Sequence, residues 1–433
     1  MLGPLLTGCL LFTSCGQKAT VNSNQKIVFW HSFVSATIPA LEGLIAKFEA
    51  NYPDIQVQAQ YVPTGDALIQ KLITAIQSKN APDVSWIHTD WLDKLIEAEA
   101  IYSLSDFIGG ENGLSHEELD DFFSALLLAG TFNDTLYSLP MEATTLALLY
   151  NKGLFRKAGL DSEHPPANWE ELLEFSRKLT IDTDADGKID QFGFYVPVFP
   201  ASSVYSIWTI LQWTPFLWQA GGEEINTDQT LVLFASAAGI AALDLWKQLY
   251  EINHSRVFAL SHDMGFASER LAMVMDGPWN LPRYRKMEKI DWAVAPLPAG
   301  PVKEATYLAG EQLVIFRQSR HPEAAWQFIK FVTQPEMQGE FSRQSGYLPV
   351  RRSVLQLKSY QDYLGTDPAL KAFVGLMSSG EGRIPLKRFR LEINQFLAEA
   401  IERSLVGNVP VDAALTAAAE KANHLLQQDP GHN

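Results

Sequence analysis

Lys26-Ile27-Val28-Phe29-Trp30 is a short run of β-branched and aromatic residues, and it reads as a buried strand. Behind it, Ile38 to Asn51 places Leu41, Leu44, Ile45 and Phe48 at i, i+3, i+4 and i+7, the spacing of one helix face. The pair then recurs. Ile55-Gln56-Val57-Gln58-Ala59 alternates as a strand and Asp66–Gln77 is helical; Asp83-Val84-Ser85-Trp86-Ile87 is a third strand, and Trp91–Ala98 a helix. Strand and helix in alternation predict an α/β fold with a parallel sheet covered on both faces.

The middle of the chain changes character. Asn168 caps a helix to Leu179, with Glu170 and Glu171 in the first turn, where the helix dipole favours them. Phe192–Trp218 is rich in aromatics and prolines, Ala235–Tyr250 and Ser268–Met275 read as helical, and Ala293–Pro301 is an extended crossing punctuated by proline. His321–Thr333, Ala369–Met377, Leu391–Leu405 and Val411–Leu426 add further helices.

The N-terminus bears on where such a chain works. Met1–Cys15 (MLGPLLTGCLLFTSC) is an apolar run, then small residues, then cysteine: a secretory signal rather than a fold element, too short to span a bilayer. It resembles a bacterial lipoprotein signal with Cys15 as the lipidated residue. Cys9 fits the usual motif better but has too little chain before it. Residues 16–25 are a flexible polar spacer. Both cysteines lie in the signal, so the body has no disulfide and its stability must come from burial. A chain of 433 residues, 47% of them hydrophobic, can bury two substantial cores. A formal charge of −16 argues against nucleic acid or an anionic membrane surface as partner.

Several segments, in order, resemble the extracytoplasmic solute-binding proteins of ABC importers, the sugar-binding group that includes maltose-binding and glycerol-3-phosphate-binding types. They are Phe29-Trp30-His31-Ser32, Asn80-Ala81-Pro82-Asp83-Val84, Pro140 through Leu149-Tyr150-Asn151-Lys152, Gly277-Pro278-Trp279, and Ser345-Gly346-Tyr347-Leu348-Pro349-Val350. The resemblance implies the periplasmic-binding-protein fold: two α/β lobes, hinge strands between them, and a ligand cleft. Lobe one would be residues 26–139 with 303–345, and lobe two 144–295 with 352–426. The crossings would be 140–143, 296–302 and 346–351. It also implies a small sugar ligand, ABC permease subunits as partners, no cofactor, a monomer, and an extracytoplasmic place on a lipid anchor. Lys157-Ala158-Gly159-Leu160 and Pro165-Pro166 echo the glycerol-3-phosphate-binding type. Thr89 and Asn394, however, stand where that type has its acidic residue and its phosphate arginine, which favours a neutral sugar over a phosphate ester.

A sugar site needs planar side chains for the apolar sugar face and fixed polar groups for its hydroxyls. Trp279, after Gly277-Pro278, is the stacking candidate; its alternative is a core tryptophan. Glu142, on the first crossing, is placed to take ligand hydroxyls. Asp90 and Trp91 follow a strand's C-terminal end, where Asp90 is either a ligand contact or a helix cap. His31 and Ser32 follow the first strand. Gly310, which would let backbone N–H reach the ligand, and Tyr347 are carried over from the family pattern. Trp208, Trp213 and Trp218 recur every fifth residue, and which of them faces a cleft is open. Asp182, Asp184, Asp186 and Asp190 around Gly187 read like the start of a calcium loop, but its twelfth position is Gly193 rather than Glu. There is no glycine-rich phosphate loop, His-Glu-x-x-His or Gly-x-Ser-x-Gly. The rival class is a secreted carbohydrate hydrolase with paired carboxylates.

Overall fold

The computed structural model describes residues 25–63, 66–203, 205–252 and 262–428. The signal with Cys15, and the spacer as far as residue 24, lie outside the described residues. The opening strand runs Gln25–His31 and pairs in parallel with Ile55–Tyr61 on one side and Val84–Ile87 on the other. Helix Ile38–Asn51 buries Leu41, Leu44, Ile45 and Phe48. Phe48 packs edge-on against Phe328 and Phe331 of helix Pro322–Val332, at 5.2 and 5.5 Å between ring centres. The sheet is mixed rather than wholly parallel. Gln312–Ile315 enters antiparallel between Val84–Ile87 and Leu139–Pro140. This strand arrives from a crossing rather than through a strand–helix–strand unit, so no crossover rule fixes its direction.

A second, four-stranded sheet has the order Trp292–Ala295, Ala147–Asn151, Leu271–Asp276, Phe192–Phe194. Leu271–Asp276, expected within a helix, is a central strand with all six residues buried. A short apolar run covered on both faces carries no periodicity to tell strand from helix. Helices Ser206–Gln219, Ala237–Ile252, Arg390–Leu405 and Val411–Gln427 close one face around Trp213, Trp246 and Ile401. Among the described residues, no helix is long and apolar enough to cross a membrane.

A small third sheet joins these bodies: Gly380–Glu381, Thr306–Ala309 and Thr144–Thr145. Beside it, Ala143 and Leu348 exchange both backbone hydrogen bonds, each 2.8 Å. The expected two-lobed α/β architecture with crossing strands is therefore present. Gly346 is a joint that only glycine fits without strain. Its φ is +87°, and a Cβ there would lie 2.3 Å from the carbonyl oxygen of Pro278. Gly346→Ala should lower unfolding free energy by roughly 1–3 kcal/mol, the range for a strained backbone site. An unchanged midpoint in denaturant titration would contradict this reading of the joint.

Candidate functional site

The cleft lies at the C-terminal ends of the first sheet's parallel strands, the usual ligand edge of an α/β sheet. Ser32 and Val34 follow the opening strand; Trp86, His88 and Thr89 follow from the third. Gly310 and Glu311 come from the turn before Gln312–Ile315, and Thr144, Leu146 and Tyr347 from the crossings. The facing wall is Trp208, Leu211, Trp279 and Tyr307. The void measures about 720 Å³ including its mouth.

Trp279 is half-buried in the cleft wall, 5.8 Å from Trp208 and 6.5 Å from Tyr347 between ring centres. Gly277 makes this possible, because a Cβ there would lie 1.8 Å from a ring carbon of Trp279. The five-residue tryptophan spacing also resolves. All three lie on helix Ser206–Gln219, where five residues turn the direction by about 140°. Trp208 therefore faces the cleft while Trp213 and Trp218 are buried in the second core.

Of the polar residues expected here, Ser32, Gly310 and Tyr347 line the cleft. Gly310 is required for a different reason than expected: a Cβ would sit 1.9 Å from the carbonyl oxygen of Glu142. Glycine thus permits close approach of two protein backbones. Glu142 is wholly buried behind the lining, not in it. Its Oε1 accepts from Trp86 Nε1 at 2.9 Å, and its carboxyl meets that of Glu311. Burial, then the Glu311 charge, pushes the Glu142 carboxyl well above the usual carboxylate range. Glu311, which sequence reasoning missed, is the carboxylate that reaches the cleft. Its only signal was adjacency to Gly310. His88 Nδ1 lies 3.4 Å from Glu311 Oε1, and burial keeps this imidazole below its ordinary value despite Glu311 and Asp90.

His31, Trp91 and Asp90 are not in the cleft. His31 faces a separate groove with Tyr61 and Arg283, and burial lowers its imidazole to about 4. Trp91 is a core residue packed edge-on to His88 at 4.7 Å. The Asp90 side chain does not line the cleft and caps no helix. Its Oδ2 accepts from Arg383 at 2.7 Å and from Asn394 at 2.9 Å. Arg383 and Arg390 also bind Glu224, and Arg388 binds Glu97. This ties the turn after the third strand to Glu224 and to the segment before helix Arg390–Leu405.

The model of the family described as bacterial extracellular solute-binding protein matches residues 43–372. The chain belongs to that family. A putative binding protein of Brucella abortus is 28% identical over 404 residues, covering 92% of each chain. The sn-glycerol-3-phosphate-binding periplasmic protein of Escherichia coli (strain K12) is 24% identical over 422 residues, covering 93% of this chain and 92% of that one. The cyclic alpha-maltosyl-1,6-maltose binding protein from Arthrobacter globiformis superposes with a TM-score of 0.78 at 26% identity, over 93% of this chain and 99% of that one.

In this solute-binding protein, Asp182, Asp184 and Asp190 bring carboxylate oxygens within 4.8 Å of one another. Asp182 Oδ1 has no donor. Asp186 instead binds Lys188 at 3.0 Å. Gly193, at the twelfth position, abuts the Ser176 backbone and offers no carboxylate. Three of the four expected aspartates therefore fit a cation.

The buried arginines generate a stability prediction. Burial alone would raise Asp90 and Glu224, but Arg383 and Arg390 outweigh it and hold both below the usual carboxylate range. Their stabilisation is present at neutral pH and is lost as pH falls through those lowered values. Arg383→Met, which leaves buried carboxylates underpaired, should cost about 3–5 kcal/mol at neutral pH. The gap to the parent should narrow below about pH 4, as urea titrations across pH would show.

Proposed function

We propose that this chain is the solute receptor of an ABC importer and that its ligand is a neutral mono- or oligosaccharide held between two lobes. The carrying observation is the cleft lining. Among the described residues that line it are five aromatic side chains and one carboxylate, and no lysine or arginine. Arg383 and Arg390, on the far side of Asp90, are committed to Asp90 and Glu224. A phosphate ester would find no cationic partner there, whereas a pyranose finds rings for its C–H face and hydroxyl acceptors beside them. The lobes would divide as the resemblance implies, with Cys15 as lipid anchor and the closed form docking as a monomer on permease subunits outside the cytoplasm.

The hydrolase alternative is less well supported. Paired glycosidase carboxyls stand about 5 Å or more apart across the scissile bond. Glu142 and Glu311 instead meet, and only Glu311 lines the cleft.

Trp279→Ala should weaken sugar binding by about 10- to 100-fold, the equivalent of roughly 1.5–3 kcal/mol of lost apolar burial. Calorimetry with a sugar panel and sn-glycerol-3-phosphate checks both points. Tight binding of the phosphate ester alone would overturn the neutral-sugar reading. We also propose that Asp182, Asp184 and Asp190 hold calcium weakly. Excess calcium should then raise Tm relative to chelator, by mass action on the folded state.

A further inference from the structure

The mechanism of a simple aromatic sugar clamp leaves one pair unused. Gly310 seats its neighbour Glu311 against the Glu142 crossing, where Met141 N donates to the Glu311 carbonyl oxygen at 2.8 Å, so the two carboxyls face one another, and Oε2 of each is buried with no protein donor. Two carboxylate oxygens cannot bond to one another unless one of them carries a proton. The other groups facing the pair cannot neutralise it. Trp86 donates to the remaining oxygen of Glu142. His88 is held neutral by burial, and Tyr347 keeps its proton, its phenol pushed up by burial and by both glutamates. Tyr307 is likewise held protonated by burial, and beyond it the charges of Asp90, Glu224, Arg383 and Arg390 are mutually paired.

We propose that Glu142 and Glu311 share one proton in the closed cleft, and that this proton makes capture of a neutral, hydroxyl-bearing ligand pH-dependent and selects against anions. Glu142 is a positioning residue that acts through Glu311. The shared proton fixes Glu311 against the crossing and leaves its outward oxygen as a hydroxyl acceptor. Loss of the proton puts two like charges side by side in a site emptied of water, where repulsion is strongest. Closure is the step that removes the water, so closure and proton retention favour one another, and by linkage ligand binding takes up a proton at higher pH. A phosphate or carboxylate ligand meets a net negative pair whenever the two carboxyls hold one proton or none. The inference rests on this cleft being the ligand site.

The test has one arm that needs no ligand. An infrared spectrum of the apo protein at about pH 7 should contain the C=O stretch of a protonated carboxylic acid. That band should vanish in Glu142→Gln. Across about pH 5 to 9, the parent should also lose Tm relative to Glu142→Gln as pH rises. The sign follows from an acid whose folded-state proton is held more tightly than in the unfolded chain. The ligand arm titrates the tightest binder among maltose, trehalose, cellobiose and mannobiose. Its Kd should rise with pH by up to about tenfold per unit, the limit for one proton, and Glu142→Gln should flatten that profile. A missing infrared band, a pH-independent Kd in the parent, or a profile unchanged in Glu142→Gln overturns the proposal. Should no sugar bind while band and Tm drift are present, the sugar reading falls and the shared proton stands.

Discussion

The buried ion network of Asp90, Glu224, Arg383 and Arg390 is the constraint on which this arrangement of the two bodies depends. Its side chains are only 4–12% exposed. Each charge is costly to bury alone, and the four are tolerable only together, because every arginine fork meets a carboxylate. Such a network contributes little net stability compared with an apolar replacement, but it is intolerant of misfit. It therefore fixes which surfaces meet, and through Asp90 it anchors the turn carrying His88 and Thr89. It also keeps two guanidinium groups out of the cleft, so the same contacts that tie the bodies together set the charge of the ligand site.

Much of the fold was legible because its periodicities are undiluted. Helix Ile38–Asn51 and helix Asp66–Gln77 begin and end where the spacing placed them, since each buries one stripe and exposes the rest. Asn168 was readable as a cap, and its side chain accepts from Glu171 N. Illegible parts were those decided by distant pairing. Nothing local in Leu271–Asp276 tells a buried strand from a helix, and nothing in Gln312–Ile315 announces an antiparallel insertion.

The site divides along the same line. Trp279, Tyr347 and Ser32 line the cleft, and their place was legible because glycine, proline and strand-end positions leave a mark in sequence. Trp86, His88, Tyr307 and Glu311 were not, because an alternating or isolated aromatic or acid reads as ordinary until the fold aims it. Asp90 is the instructive case. It stands at the ligand edge as expected, but Arg383, some 290 residues on, claims it, and no local pattern could have revealed that partner.

The placing of Gly277, Gly310 and Gly346 joins these threads. Each is a point where a side chain would strike a ring or a backbone carbonyl at 1.8, 1.9 and 2.3 Å respectively. Gly310 lets Glu311 lie against the Glu142 crossing, Gly346 lets the Tyr347 crossing lie against Pro278, and Gly277 lets Trp279 fold back toward Tyr347. The cleft's polar and aromatic walls are consequently carried by backbone segments already in contact, with no compliant side chain between them. A shift of the crossings on opening must therefore move the Glu311 carboxylate and the Trp279 ring relative to each other. A ligand that touches both is held only in the closed arrangement, which is the differential contact that binding needs to shift the population toward closure.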